Sequence, residues 1–237
     1  MRSMSAATRR IRINTQTRST ITGKIITVPA EHVAAALLFS AVKDVRQYLI
    51  SVCFESDGKE TFIAASDGIK LFVSKVPFEG YVPAGVAFKA VVPTVLLAPM
   101  CKKPNGNFLI IELGEHRALK VTRPDTGTIV QGMAMDCKFP DWRRIIPTNY
   151  SGEAASVDPE LMLACKKAFA TLKNINAKQA SALPDFYFNG AHSGVRVQYP
   201  GFDAISVVMP YRGSVPEGAG ELPAFGTRVE EEEDVSA

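Results

Sequence analysis

Ala65-Ser66-Asp67-Gly68-Ile69-Lys70-Leu71 decides how the first half of this chain folds. A strand-forming run at 61–65 leads into it and another at 71–76 leaves it. Asp67-Gly68 supplies the bend between them, so the segment reads as a hairpin. Working outward, Ser56-Asp57-Gly58-Lys59 is a second hairpin signal. It joins residues 61–65 to an earlier strand-like stretch, 48–55. Upstream, residues 24–28 read as a strand, and Pro29 opens a helix at its first turn. Val33, Leu37, Leu38, Ser40, Ala41 and Val45 form an apolar stripe that extends this helix across 31–45.

The resulting β-α-β-β-β pattern recurs. A short strand at 86–89 precedes a short helix at 93–101, which Lys102-Lys103-Pro104-Asn105-Gly106 closes. Strands follow at 108–113, 118–123 and 128–135. A third round begins with a strand at 154–157, then Asp158 as N-cap and Pro159 at the first helical position. Leu161, Cys165, Ala168, Phe169 and Leu172 give that helix an apolar face, and strands follow at 185–189, 194–199 and 204–209. The expected fold class is α+β, an internal repeat of three β-α-β-β-β units with helices on one face of antiparallel sheets. Strand polarity on the other face suits solvent. The expected divisions are a basic arm at 1–23, two units at 24–150, a third unit at 151–213 and an acidic tail at 214–237.

Composition narrows the function classes. An apolar fraction of 46% in 237 residues supports a true core, and no run approaches a membrane span. The formal charge of +3 does not by itself predict a nucleic-acid partner. Residues 1–23 hold five arginines and no acid, and residues 230–234 read Glu-Glu-Glu-Glu-Asp. Such blocks read as solvated tails; the basic arm also suits phosphate contact, or an organelle transit peptide. Cys53, Cys101, Cys137 and Cys165 show no metal-ligand spacing, and Cys53 and Cys165 lie in apolar patterns as buried free thiols. A reducing cytoplasm fits, and no metal or organic cofactor is expected. No phosphate-binding loop, zinc-protease or nucleophile-elbow motif occurs, so nothing points to an enzyme.

Cations gather on the helices: Lys43 and Arg46 at the end of the first, Lys102 and Lys103 at the end of the second, Lys166, Lys167 and Lys173 on the third. They complement helix dipoles, or else they form a surface that follows a phosphate backbone without reading bases. Two further segments mix apolar side chains with cations, as a groove for an apolar peptide would. They are Phe139-Pro140-Asp141-Trp142-Arg143-Arg144-Ile145-Ile146-Pro147 and Val207-Val208-Met209-Pro210-Tyr211-Arg212. Taken singly, Asp67-Gly68 and Pro140-Asp141 are only turns, and Trp142 is a core or interface anchor.

In this order, across residues 24–213, the three segments resemble the bacterial DNA polymerase III β sliding clamp family. Residues 65–71 stand where the family has A-T-D-G-H-R-L. Residues 139–147 stand for F-P-D-Y-R-R-V-L-P, and residues 208–212 for V-M-P-M-R. The resemblance implies a hydrophobic pocket that captures short motifs of polymerases and other replication factors. Its lining here would be Leu49, Ser66, Gly68, Ile69, Lys70, Leu71, Pro140, Arg144, Ile145, Val208, Met209, Pro210, Tyr211 and Arg212. It also implies a homo-oligomeric ring around duplex DNA, read without sequence preference, and a clamp loader. Departures from the family pattern are Ile69, Lys70 and Tyr211, where it has His, Arg and Met, and Trp142, where it has Tyr. The chain matches the family's middle domain and half of its last. This implies a compact clamp of a phage or mobile element, closing its ring with four chains. The competing reading is a clamp-like module that does not encircle DNA and competes for clamp-binding peptides or caps a host clamp.

Overall fold

A computed structural model describes residues 24–76, 87–104, 106–174 and 183–211. The basic arm, the acidic tail, Val86 and Arg212 lie outside the described residues. The first unit comprises β1 (Lys24–Pro29), α1 (Ala30–Leu37), β2 (Ser51–Asp57), β3 (Thr61–Ser66) and β4 (Lys70–Lys75). The second comprises β5 (Ala87–Pro93), α2 (Thr94–Leu97), β6 (Phe108–Leu113), β7 (Ala118–Arg123) and β8 (Thr128–Met133). The third comprises α3 (Pro159–Leu172), β9 (Asp185–Tyr187), β10 (Val195–Gln198) and β11 (Ala204–Val208). The architecture is α+β, with antiparallel pairing throughout.

The first two units exchange their opening strands. β1 pairs with β6 of the second unit, and β5 pairs with β2 of the first. Two four-stranded arrays result, β1-β6-β7-β8 and β5-β2-β3-β4. The third unit then joins edge to edge. Its last strand, β11, pairs with β4 from Lys70↔Val208 to Ser74↔Ala204, making a seven-stranded sheet in the order β5-β2-β3-β4-β11-β10-β9. Across the same joint α3 packs on α1.

Strand alternation sorts the side chains of the seven-stranded sheet. Val52, Phe54, Ile63, Ala65, Phe72 and Val208 face the main core with the buried faces of α1 and α3. Cys53, Ala64, Leu71, Val73 and Val207 face the other way. That second face is not left to solvent as expected. Phe139, Trp142 and Ile146 lie over it, so residues 139–147 form a strap across the sheet. Its run-in is tied by the Met135 amide donating to the Val91 carbonyl (2.8 Å), its middle by Arg143 to Glu55 (2.7 Å) and its end by Arg196 Nη1 to the Pro147 carbonyl (3.2 Å).

Helix lengths differ from the expected ones. α1 stops at Leu37 rather than continuing to Val45: the Ser40 hydroxyl donates to the Leu37 carbonyl, and the Ala41 amide donates to Leu49. Val42 and Val45 are fully exposed, so Lys43 and Arg46 stand in an irregular turn and not on a helix. α2 is one turn, which leaves Lys102 and Lys103 in the following turn. Arg123, buried beside Asp125, donates to the carbonyls of Met100, Lys102 and Lys103 and holds that turn. The third helix starts as expected, with the Asp158 carboxylate accepting from the Glu160 amide (2.9 Å). Residues 154–157 join no sheet, however, and residues 48–50 precede β2 as a turn.

His32 on α1 sits at the joint of the first and third units. Its Nδ1 lies 2.6 Å from the Ser74 hydroxyl, and its ring meets Phe202 edge-on. Burial lowers its pKa from 6.5 to about 4. Between these values the unfolded chain takes up a proton that the folded chain refuses. The contribution is therefore present in full above about pH 6.5 and is lost as pH falls through about 4, by about 3 kcal/mol in total. Denaturant unfolding at neutral pH and near pH 4.5 is expected to show this loss, and His32→Gln is expected to flatten it.

Candidate functional site

The Ser66–Leu71 turn is built by local hydrogen bonds. The Asp67 carboxylate accepts from the amides of Ile69 (3.0 Å) and Lys70 (2.9 Å). The Ser66 hydroxyl donates to the Lys70 carbonyl (2.8 Å) and accepts from the Gly68 amide (3.1 Å). Gly68 adopts φ +101°, which a side chain would strain, and a Cβ there would meet Arg46 and Leu49. Beyond the last β4–β11 pair, the Met209 amide donates to the Ile69 carbonyl (2.8 Å). The turn and the end of β11 are thereby locked side by side.

A cleft of about 330 Å³ opens at this point, on the face away from the helices. Three walls surround it. The turn gives Ser66, Gly68, Ile69 and Lys70; residues 46–49 give Arg46, Tyr48 and Leu49; the strap gives Phe139, Pro140 and Ile145. Leu71, Val207 and Met209 complete the lining. Leu71 and Val207 are buried, whereas Ile69 is exposed and Met209 half-buried. Such a surface takes up apolar side chains, and the thioether adapts to their shape. Each cation at the rim already has a carboxylate. Lys70 pairs with Asp67 (3.1 Å), and Arg46 makes two contacts to Asp44 (2.9 and 3.0 Å). Hydrogen bonding from Arg46 lowers the Asp44 pKa to about 2, so that pair stays ionised at neutral pH.

Of the residues expected at the pocket, the structure brings together Leu49, Ser66, Gly68, Ile69, Lys70, Leu71, Pro140, Ile145 and Met209. Val208 points into the main core and its neighbour Val207 takes its place, a shift of one residue that reverses the face. Pro210 is buried outside the lining. Arg144 and Tyr211 are exposed and also outside it, Tyr211 donating its amide to the Ser156 carbonyl. Reading the sequence missed Arg46, Tyr48, Phe139 and Val207. Arg46 was expected among the DNA-facing cations, and its place at the cleft follows from the early end of α1. Of the remaining cations, Lys43, Lys102, Lys103 and Lys167 are exposed, while Lys166 is half-buried. Lys173, also half-buried, lies over the Phe169 ring at 4.4 Å.

A larger hollow, about 530 Å³, lies on the far side of the strap, bordered by Phe62, Trp142, Ile146, Phe202 and Ile205. None of the motif residues expected at the pocket lines it. The smaller cleft is the candidate because three segments far apart in sequence converge there.

No protein-family model matches the chain. Among curated proteins, the β sliding clamp of Salmonella typhimurium is 30% identical over 112 residues, 46% of this chain and 29% of that protein. The β sliding clamp of Escherichia coli K12 matches with the same identity and coverage. Among solved structures, the DnaN sliding clamp (DNA polymerase III subunit beta) of Pseudomonas aeruginosa bound to griselimycin superposes with a TM-score of 0.58. The match has 16% identity and covers 80% of this chain and 65% of that one. A further structure of the Pseudomonas aeruginosa DNA polymerase III subunit beta gives a TM-score of 0.57 at 16% identity. The chain is similar in sequence to the bacterial β sliding clamps over these 112 residues and shares the fold of the solved clamp structures. The aligned segment spans under a third of the curated clamps' length, and the structural match about two thirds of the solved one.

Burial raises the Cys53, Cys101 and Cys165 thiols to about 12, so they are poor nucleophiles at neutral pH. Among the described residues no group of three or more His, Cys, Asp or Glu is placed to hold a metal, and no helix is long and apolar enough to cross a membrane.

Proposed function

We propose that the chain is a clamp of DNA replication: copies assemble around duplex DNA, and the cleft tethers a polymerase or another factor through a short apolar peptide. The observation that carries this reading is the cleft itself. Its lining draws on each of the three segments that resemble the clamp family, together with residues 46–49, and it lies where β4 meets β11, at the joint of two units. One buried Leu or Phe of a ligand contributes about 1.5–3 kcal/mol, which suits exchangeable partners.

DNA is held by charge alone in this reading. Lys43, Lys102, Lys103, Lys166, Lys167 and Lys173 serve the phosphates, with no aromatic platform for bases. Changing Lys102, Lys103, Lys166 and Lys167 together to glutamate is expected to lower duplex affinity at least tenfold. It should also make the dependence of log affinity on log salt shallower by about 0.9 for each phosphate that the protein no longer neutralises. Fluorescence anisotropy with a labelled duplex over a salt series measures both. If affinity and slope stay at their original values, these lysines do not face DNA, and the non-encircling module that competes for clamp-binding peptides becomes the better account.

A further inference from the structure

A second hollow, about 560 Å³, adjoins the cleft across Phe139, a strap residue that borders both. It lies between β5, the start of β1 and the run-in of the strap. Val91 and Met135 give it an apolar floor, and four cations rim it: Lys24, Lys89, Arg117 and Lys138. All four are exposed, and no acid is among the lining residues. Carboxylates answer only part of this charge. Lys89 shares Glu55 with Arg143, and Arg117 meets Asp136 (3.0 Å) in a pair open to water, which is a weak one. Lys24 donates to the Ala87 carbonyl, and among the described residues neither it nor Lys138 pairs with a carboxylate.

An apolar cleft beside a cationic hollow fits a segment that carries apolar side chains and, a few residues on, a run of acids. The chain itself supplies one after Tyr211. Residues 212–237 contain one leucine and one aromatic residue, Leu222 and Phe225, and Glu230-Glu231-Glu232-Glu233-Asp234 follows shortly after them. Pro223 between the two disfavours helix, and a polyproline turn of about three residues would set Leu222 and Phe225 on one edge. The starting point is close by. Met209 lines the cleft, and Tyr211, two residues on, is fixed by its amide to the Ser156 carbonyl. From there residues 212–221 can span up to about 35 Å.

We infer that the acidic tail is an internal ligand of the cleft. Leu222 and Phe225 occupy the cleft, and Glu230–Asp234 lies in the cationic hollow on the other side of Phe139. A short tether holds its ligand at an effective concentration of about a millimolar, so a tail of modest affinity blocks the cleft until a stronger peptide displaces it. The inference rests on the cleft being a peptide site, as proposed above.

Anisotropy titration of a fluorescent clamp-binding peptide tests it, comparing the full-length wild type with a variant carrying Leu222→Asp and Phe225→Asp. The tail variant is expected to capture the peptide about tenfold more tightly. Lys24→Glu with Lys138→Glu is expected to tighten capture about threefold in the wild-type chain and to change nothing in the tail variant, because only a seated tail feels those charges. Equal capture by wild type and tail variant overturns the inference and leaves the cleft standing as a partner site. If neither captures the peptide, the partner reading fails, and a labelled peptide of residues 213–237 then reads the tail by itself. Binding of that peptide to the tail variant, weakened at least tenfold by Met209→Asp and about threefold by Lys24→Glu with Lys138→Glu, supports the inference. No binding, or binding that these changes leave intact, overturns it.

Discussion

Met209→Asp is expected to weaken capture of a fluorescent clamp-binding peptide at least fiftyfold, about 2.3 kcal/mol or more. Met209 completes the cleft beside buried Leu71 and Val207, and its amide is fixed to the Ile69 carbonyl. The backbone at this position therefore stays in register when the side chain changes. A carboxylate there has no cation free of its own partner: Lys70 is engaged by Asp67 and Arg46 by Asp44. An incoming apolar residue would have to strip water from an unpaired charge, which costs more than the thioether's packing contributes. Met209→Ala removes only that packing and is expected to cost about 1–2 kcal/mol. Anisotropy titrations of both variants give the order wild type, then alanine, then aspartate. Equal binding by all three would remove the cleft as a peptide site.

Trp142→Ala is expected to cost about 3–5 kcal/mol of stability, the usual range for emptying a large aromatic site. Trp142 is 6% exposed and packs at 5.3 Å from the Phe62 ring, with the Arg143 guanidinium 4.1 Å above it. It pins the middle of the strap to the sheet, and Arg143 completes the clip through Glu55. Peptide capture should fall with stability, because Phe139, Pro140 and Ile145 are held in place by the same strap. Trp142→Phe is expected to be much milder. It keeps the ring on Phe62 and removes a buried indole N–H that has no hydrogen-bond partner. Urea unfolding midpoints test the pair, and a loss under about 1 kcal/mol in Trp142→Ala would mean that the strap is held by other contacts.

What the sequence revealed follows the range of the forces involved. The Ser66–Leu71 turn was legible because Asp67, Gly68 and Ser66 fold it within a few residues, through bonds those residue types make anywhere. The α+β pattern was legible through strand alternation and turn punctuation. Val207 and Val208 were not separable. Both are valine, and which one faces the cleft is set by the register of β11 against β4. Helix α1 was overextended because Val45 fits a helical stripe, while the helix is ended by the Ser40 hydroxyl on the Leu37 carbonyl three residues back and by the Leu49 carbonyl, which takes the Ala41 amide once residues 42–49 have folded back. Arg46 and Tyr48 were missed at the cleft for the same reason. The strap over the second sheet face left only Trp142 and Phe139 as a signal, since an apolar loop covering a sheet has no period of its own. Residues 154–157 alternate in burial as a strand would, yet no neighbour strand is within the described chain to pair them.

Topological linkage to DNA is the most direct test of the account. A linear duplex anchored at one end lets a ring thread on over the free end without any loader. The free end is then capped with a bulky protein, or left open, and the complex is washed in high salt to remove charge-held protein. The account predicts that the protein stays on capped DNA and runs off open DNA. Equal loss from both would show that it grips the duplex from one side, and the encircling clamp would be ruled out.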